Sequence, residues 1–297
     1  MIKRVLEIGN PSHLKVQNEQ LLVRQKDKTI TATIPIEDLG IVLLDNSQIS
    51  VTRKVIEACA NNNVAIVHCN SQHLPISMTL PIAAHTLHSK TVQMQAALGL
   101  VRKKQLWRQI VKSKIHEQAN TLDLFGKNSV PLRAMIKKVK SGDSTNVEAQ
   151  AAQKYWSKLM GQTFQRDPKQ AGFNSMLNYG YAVVRAMIAR ALVGTGFHLA
   201  LGINHSSQYN AYCLADDMME PFRPWVDQIA LQLVNQGAPT KLNQENKTRF
   251  LSLLSESVVF TNKKMPLMVA CGILAADLKS AYKEKQSKLC FPERINI

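Results

Sequence analysis

One imidazole and three carboxylates fall within sixteen residues, from His205 through Asp216 and Asp217 to Glu220. The surroundings are apolar: Phe197, Leu199, Leu201 and Ile203 come before, and Met218, Met219, Phe222 and Trp225 lie among or after the acids. Carboxylates crowded among apolar neighbours repel one another and lose hydration, so something positive must compensate. A single divalent cation does this most simply. Hard oxygen plus imidazole favours Mg2+ or Mn2+ over a structural zinc. The plain alternative is that the Asp216-Asp217 pair, shortly before Pro221, caps a helix or lies in a solvated turn.

The elements that must position these groups are helical. Asn174 opens an apolar helix through Leu177, Tyr181, Val184, Ile188 and Leu192, ended by Gly194 and Gly196 and leading directly towards His205. Gly180 sits inside it at a cost near 1 kcal/mol, which points to a close helix crossing. The window 182–203 is broken by Arg185, Arg190 and His198, so it reads as a buried helix and not a membrane span. Pro221 either kinks a helix or starts the next one. Asp217 and Glu220, three apart, share a face if that turn is helical, and Asp216 then points to a basic or hydroxyl partner. Upstream, Thr145 or Asn146 caps a helix with Glu148 in its first turn, where an acid commonly serves the helix dipole.

The front of the chain is different. Short runs such as Leu14–Val16, Leu21–Val23 and Ile30–Ile36 are separated by Asn10-Pro11, Asn18-Glu19 and Lys26-Asp27-Lys28, which reads as strands and turns. Gly40–Asp45 and Val64–His68 read as buried strands, with His68 a strand-end residue. Ser50 is expected to cap a helix from Val51 to about Asn61, with Val55, Ile56 and Cys59 on one face. Long helical patterns begin at His88, and two further helices are expected over Asn243–Phe260 and from Lys263 to about Glu284. The expected architecture is α+β: a small β-rich, β-sandwich-like domain over residues 1–85, then a larger all-helical catalytic domain over 86–297.

Hydrophobic residues make up 45% of the 297, enough for a sizeable core, and the net charge is +16. Residues 101–140 carry 11 Lys and Arg against 2 Asp and Glu, so nine of the excess charges fall in one segment. Arg102, Lys103, Lys104, Arg108, Lys112 and Lys114 lie off the apolar stripe of Leu98, Leu106, Trp107, Ile110, Val111 and Ile115, and Arg133, Lys137, Lys138 and Lys140 follow. With almost no acids for i,i+4 pairing, a phosphate backbone is the better partner. No base-reading pattern appears, so little direct sequence readout is expected. Five widely spaced cysteines without a Cys-x-x-Cys pair argue against disulfides and zinc ribbons and fit a reducing cytoplasm. No apolar run follows Met1–Val5, so no signal peptide is expected.

Three ordered pieces carry a resemblance: Glu148–Trp156, Asn174–Tyr181, and Leu201–His205 followed by Leu214–Pro224. Together they resemble the CRISPR-associated endonuclease/integrase that captures new spacers, in the branch accompanying type II systems. The resemblance implies metal ligation by Glu148, His205 and Glu220, with Asp217 lining the same site. Ala149 stands where many relatives have glycine. It further implies a homodimer, with dimerisation by the β-rich front, and two dimers flanking a small ferredoxin-like partner in a heterohexamer that grips double-stranded DNA. The implied reaction is attack of a DNA 3′-hydroxyl on a phosphodiester of the repeat array, with Mg2+ or Mn2+ as cofactor and Arg102, Lys103, Lys104, Arg108, Lys137 and Lys138 on the DNA. A non-enzymatic basic DNA-binding protein is the alternative. It accounts for the charge but leaves the acidic cluster unexplained. A carboxylate di-metal oxidoreductase lacks its paired Glu-x-x-His motifs, and membrane-surface binding lacks a basic amphipathic helix with aromatic anchors.

Overall fold

The computed structural model describes residues 3–25, 29–284 and 288–295. The turn expected at Lys26-Asp27-Lys28 lies outside them. The chain begins with β1 (Arg4–Ile8), β2 (Ser12–Gln17), β3 (Gln20–Gln25), β4 (Ile30–Pro35), β5 (Leu39–Leu44), β6 (Ser50–Val51), α1 (Arg53–Asn61), β7 (Ala65–Cys69) and β8 (Pro75–Thr79). These strands form two four-stranded sheets, ordered β1-β5-β7-β8 and β4-β3-β2-β6. In the first, β1, β5 and β7 run parallel and β8 antiparallel.

β5 is buried at all six positions because both its faces are covered. Side chains alternate across a strand. Val42 and Leu44 join Ile8, Leu14, Leu21, Val55 and Cys59 in a core between the sheets and α1. Ile41 and Leu43, with Ala65 and Val67 of β7, join the core of the helical part instead. The expected cap at Ser50 is corrected: Ser50 and Val51 pair with β2, and the helix starts at Arg53 after the extended Thr52. Val55 and Cys59, four apart, face inward, whereas Ile56 is turned away and 42% exposed.

The rear contains α2 (His88–Ala96), α3 (Leu100–Leu124), α4 (Val130–Ile136), α5 (Val147–Met160), α6 (Phe173–Gly194), α7 (Cys213–Met219), α8 (Arg223–Asn235), α9 (Gln244–Ser252), β9 (Ser257–Phe260), β10 (Lys263–Pro266), α10 (Leu267–Lys283) and β11 (Glu293–Arg294). It is not all helical. The helices expected over Asn243–Phe260 and from Lys263 are separated by the β9–β10 hairpin, and β11 pairs on the other edge of β9. Val258, Val259 and Phe260 favour a strand. Thr261 and Asn262, both at positive φ (48° and 63°), make the tight turn. Among the described residues no helix is long and apolar enough to cross a membrane.

The glycine inside α6 has the expected reason. A Cβ at Gly180 would lie 2.3 Å from Val226 Cγ1 and 2.9 Å from Phe250 Cδ1, so α8 and α9 press against the backbone there. Gly180→Ala gains about 1 kcal/mol of helix propensity but forces an overpacked contact costing about 1–3 kcal/mol. A net fall in melting temperature is expected in a thermal scan, and a rise would refute the crossing as the reason for glycine.

Candidate active site

Three elements far apart in sequence converge on one recess. α3, the long basic helix, crosses under the 3-10 turn Glu220–Phe222 and packs on α5. α5 begins with an acid-capped turn: the carboxylate of Asp143 accepts the backbone N–H of Val147 at 3.0 Å and of Glu148 at 2.9 Å. Asn146, in a left-handed conformation, makes no side-chain cap bond, so the cap expected at Thr145 or Asn146 belongs to Asp143. Glu148 is thereby fixed in the first turn, facing α3.

The middle of the recess holds Lys114, read from sequence as phosphate-facing and found pointing inward. Its Nζ donates to Glu148 Oε1 at 2.6 Å and lies 2.6 Å from Glu220 Oε2. Arg223 Nε lies 2.9 Å from Glu220 Oε1. The Glu220 contacts are ion pairs without hydrogen-bond alignment, since both Glu220 Oε2 and Arg223 Nε are buried with no hydrogen-bond partner. Burial alone would push the Glu220 carboxyl up, but Arg223 and Lys114 outweigh it and hold the group below its usual range. Burial likewise works against the Lys114 ammonium, and Glu220 and Glu148 more than reverse it, raising its pKa.

His205 enters from the loop between α6 and α7. The carboxylate of Asp217, fully buried, gathers that loop: Oδ2 accepts the N–H of Ile203 at 2.6 Å and of Asn204 at 3.0 Å, and Oδ1 accepts the N–H of His205 at 3.1 Å. The same Oδ1 lies 2.7 Å from His205 Nδ1. That bond raises the imidazole above its ordinary value, against a smaller opposing effect of burial. With Nδ1 engaged, the other ring nitrogen is left for a ligand. Gly202 is required at the turn, because a Cβ there would lie 2.2 Å from the His205 carbonyl oxygen and 2.9 Å from Asp217 Oδ2. Trp107 of α3 meets the imidazole edge-on, with centroids 6.0 Å apart. Asp216 points away, to Arg185 at 2.6 Å and to the Asn210 amide, as the i,i+1 geometry requires.

The donor set suits a hard divalent ion: two carboxylates, one imidazole, and a buried Glu220 oxygen with unused acceptor capacity. As they stand, no three His, Cys, Asp or Glu side chains among the described residues close round a single ion position. The Lys114 ammonium fills the gap between the two glutamates. Lys114 could have been recognised from helical period. Trp107, Ile110, Lys114, Glu117 and Thr121 fall on one face of α3, and all but Lys114 are buried.

Of the six basic residues assigned to DNA, two are tied to the protein. Arg102 donates to the carbonyls of Ala281 and Glu284, clamping the end of α10, and Arg108 donates to the Val139 carbonyl. Lys104, Lys137 and Lys138 are exposed, and Lys103 partly so. Behind the site lie two acids that sequence reasoning passed over. Glu117 accepts the Trp225 indole N–H at 2.7 Å. Asp227 accepts the hydroxyls of Tyr155 and Tyr181. Burial raises each carboxyl to about 7, from 4.5 and 3.8 respectively. The folded chain therefore holds protons that the unfolded chain has already lost. Stability is expected to fall as pH rises from about 4 to about 7 and to level off above. Glu117→Gln and Asp227→Asn should each flatten that slope in urea unfolding, and a slope unchanged in both would refute the assignment.

The sequence profile of the family described as CRISPR associated protein Cas1 matches residues 8–259. A CRISPR-associated endonuclease Cas1 from Neisseria meningitidis serogroup C (strain 8013) is 33% identical, covering 100% of this chain and 98% of its own. Among solved structures, a casposase bound to integration product matches with a TM-score of 0.79 at 19% identity, over 97% of this chain and 92% of that one. A Cas1 protein from Thermotoga maritima matches at 0.79 and 16%, over 95% and 98%. A Cas6-RT-Cas1–Cas2 complex matches at 0.75 and 20%, over 97% of this chain and 36% of that one.

Proposed function

Since the chain belongs to the Cas1 family of CRISPR-associated proteins, we propose that it is a metal-dependent DNA endonuclease and integrase that inserts captured DNA fragments into a CRISPR repeat array. The observation that carries this reading is the meeting of Glu148 and Glu220, from separate elements, on the single ammonium of Lys114. The casposase likeness supports strand transfer, and the three sequence motifs support the type II branch.

In the reaction a DNA 3′-hydroxyl attacks a repeat phosphodiester. The attacking hydroxyl gives up its proton to solvent as a new P–O bond forms, the bond to the leaving 3′ oxygen breaks, and that oxygen takes up a proton. Glu148 and Glu220 offer hard oxygens, and His205 offers the nitrogen that Asp217 does not engage. A bound Mg2+ or Mn2+ would acidify the attacking hydroxyl and offset the charge on the phosphorane. Asp217 acts as a positioning residue, fixing the loop and the imidazole tautomer. The exposed Lys104, Lys137 and Lys138 and the partly exposed Lys103 hold the DNA backbone. Homodimerisation through the β-rich front, and a small ferredoxin-like partner completing a heterohexamer, belong to the same proposal. The Cas1–Cas2 complex among the structural neighbours supports such a partner. The array as substrate implies work in the cytoplasm.

The direct test is transfer of a labelled duplex with a free 3′-hydroxyl into a supercoiled, repeat-bearing plasmid. Product is expected with Mn2+ or Mg2+ and not with EDTA. Metal-independent DNA binding without any product would favour the non-enzymatic reading. For the basic surface, Lys103→Glu with Lys104→Glu should reduce the slope of log affinity against log salt by about 2. An unchanged slope would reject those two lysines as phosphate contacts.

A further inference from the structure

The proposed chemistry leaves the charge of Lys114, in the middle of the recess, without a use. Lys114 Nζ is 2.6 Å from a carboxylate oxygen of both Glu148 and Glu220, so those oxygens are no more than twice that distance apart. A hard divalent ion bound by both would sit about 2.0–2.1 Å from each oxygen, in the space that the ammonium now fills. Both cannot be there together: they would overlap sterically, and their charges repel in a recess where Glu220 is only 5% exposed at its side chain.

The charge count leads to the same conclusion. Glu148 and Glu220 contribute two negative charges, and Lys114 and Arg223 two positive ones. The two positive charges thus offset much of the glutamates' pull on a divalent ion. Arg223 is pinned: it lies over the Tyr181 ring at 4.9 Å as well as against Glu220. Among the described residues Lys114 pairs only with the two carboxylates, and it sits on a flexible stem whose side chain is 14% exposed, so it is not sealed from solvent. Glu220 Oε2 also retains acceptor capacity, being buried without an aligned hydrogen bond.

We infer that Lys114 is a resident cation that holds Glu148 and Glu220 together in the metal-free chain and must swing out of their gap for a divalent ion to enter. The inference rests on the reading of those two glutamates as metal ligands. It means that the lysine preassembles the acids without mutual repulsion and at the same time weakens metal binding by competing for the same oxygens. Removing its charge then tightens metal binding, although it loosens the metal-free fold.

The experiment measures Mn2+ affinity of the full-length chain, with no DNA, from the free-ion EPR signal. Lys114→Gln is expected to bind Mn2+ about tenfold tighter or more than wild type, and Lys114→Arg, which keeps the charge, no tighter than wild type. Glu148→Gln and Glu220→Gln serve as reference variants. If they lose Mn2+ binding while Lys114→Gln binds no tighter, the displacement is refuted and the ligand reading stands. If they bind Mn2+ as wild type does, the ligand reading itself fails and takes the inference with it. A second measurement needs no variant at Lys114. Acetylation of lysines in the wild-type chain, followed by mass spectrometry, should label Lys114 faster once Mn2+ is saturating. Equal labelling with and without Mn2+ would overturn the proposal.

Discussion

Glu148→Gln should abolish strand transfer while leaving the fold nearly as stable as wild type. Glu148 is the more accessible of the two glutamates, 22% exposed at its side chain, and its ion-pair partner among the described residues is Lys114. An amide keeps the volume and can still accept from the ammonium, so the stability cost should stay near 1 kcal/mol, as for a partly exposed pair. Activity is another matter. An amide is a far weaker ligand for a hard cation, and losing several kcal/mol of charge stabilisation in the transition state corresponds to roughly a thousandfold in rate. Glu220→Gln is expected to lose activity to the same degree but to be much less stable. It would take the counter-charge from both Lys114 and Arg223, whose side chains are only 14% and 29% exposed, and would do so at a carboxylate that is itself 5% exposed, so the loss should clearly exceed that of Glu148→Gln. The two variants thus separate chemistry from folding. Integration by Glu148→Gln at a wild-type rate, across a titration of Mn2+, would remove that residue from the site.

What the sequence revealed, and what it hid, follows from how local each signal is. The His205–Glu220 stretch announced itself because its acids are close in sequence and lie among apolar residues. The divergence of Asp216 from Asp217 followed from helix geometry alone, and Arg185 is the basic partner that geometry required. Gly180 was legible because a mid-helix glycine needs a packing reason. Lys114 was misread because its two partners come from α5 and the turn after α7. Counting acids three or four residues away on α3 could not find them, although the heptad position shared with Trp107 could. Asp143 was hidden in a turn whose capping role depends on Asn146 taking a left-handed conformation. The β9–β10 hairpin was missed because Val258-Val259-Phe260 is too short a run to outweigh the helical patterns on either side. Its Thr-Asn turn lacks the glycine that usually marks such hairpins. The single run of β5 did not disclose that its two faces serve different cores, since periodicity cannot distinguish a doubly buried strand from a buried helix segment.

Asp217→Asn is expected to release the His205 loop, with a stability loss of about 3–5 kcal/mol and loss of strand transfer. The carboxylate has no solvent contact, and all its bonds go to the loop. Each oxygen faces two approaching groups: Oδ2 takes the amides of Ile203 and Asn204, and Oδ1 takes the His205 amide and meets its Nδ1. An asparagine can present its oxygen to only one of these pairs. Its NH2 group must then face the other pair, and buried donors set against donors lose their bonds and their hydration together. Rotation of the amide merely moves the conflict from one pair to the other. Nor can the loop relax outward cheaply, because Gly202 sits within contact of Asp217 Oδ2, the His205 carbonyl and Cys213 Cβ. The readout that isolates this role is hydrogen exchange at Ile203, Asn204 and His205. These amides should be protected in the wild type and open in Asp217→Asn, while amides in the core of α6 stay protected. Open exchange together with undiminished strand transfer would show that the loop's order does not serve the reaction. Unchanged exchange would show that Asp217 is not what holds the loop.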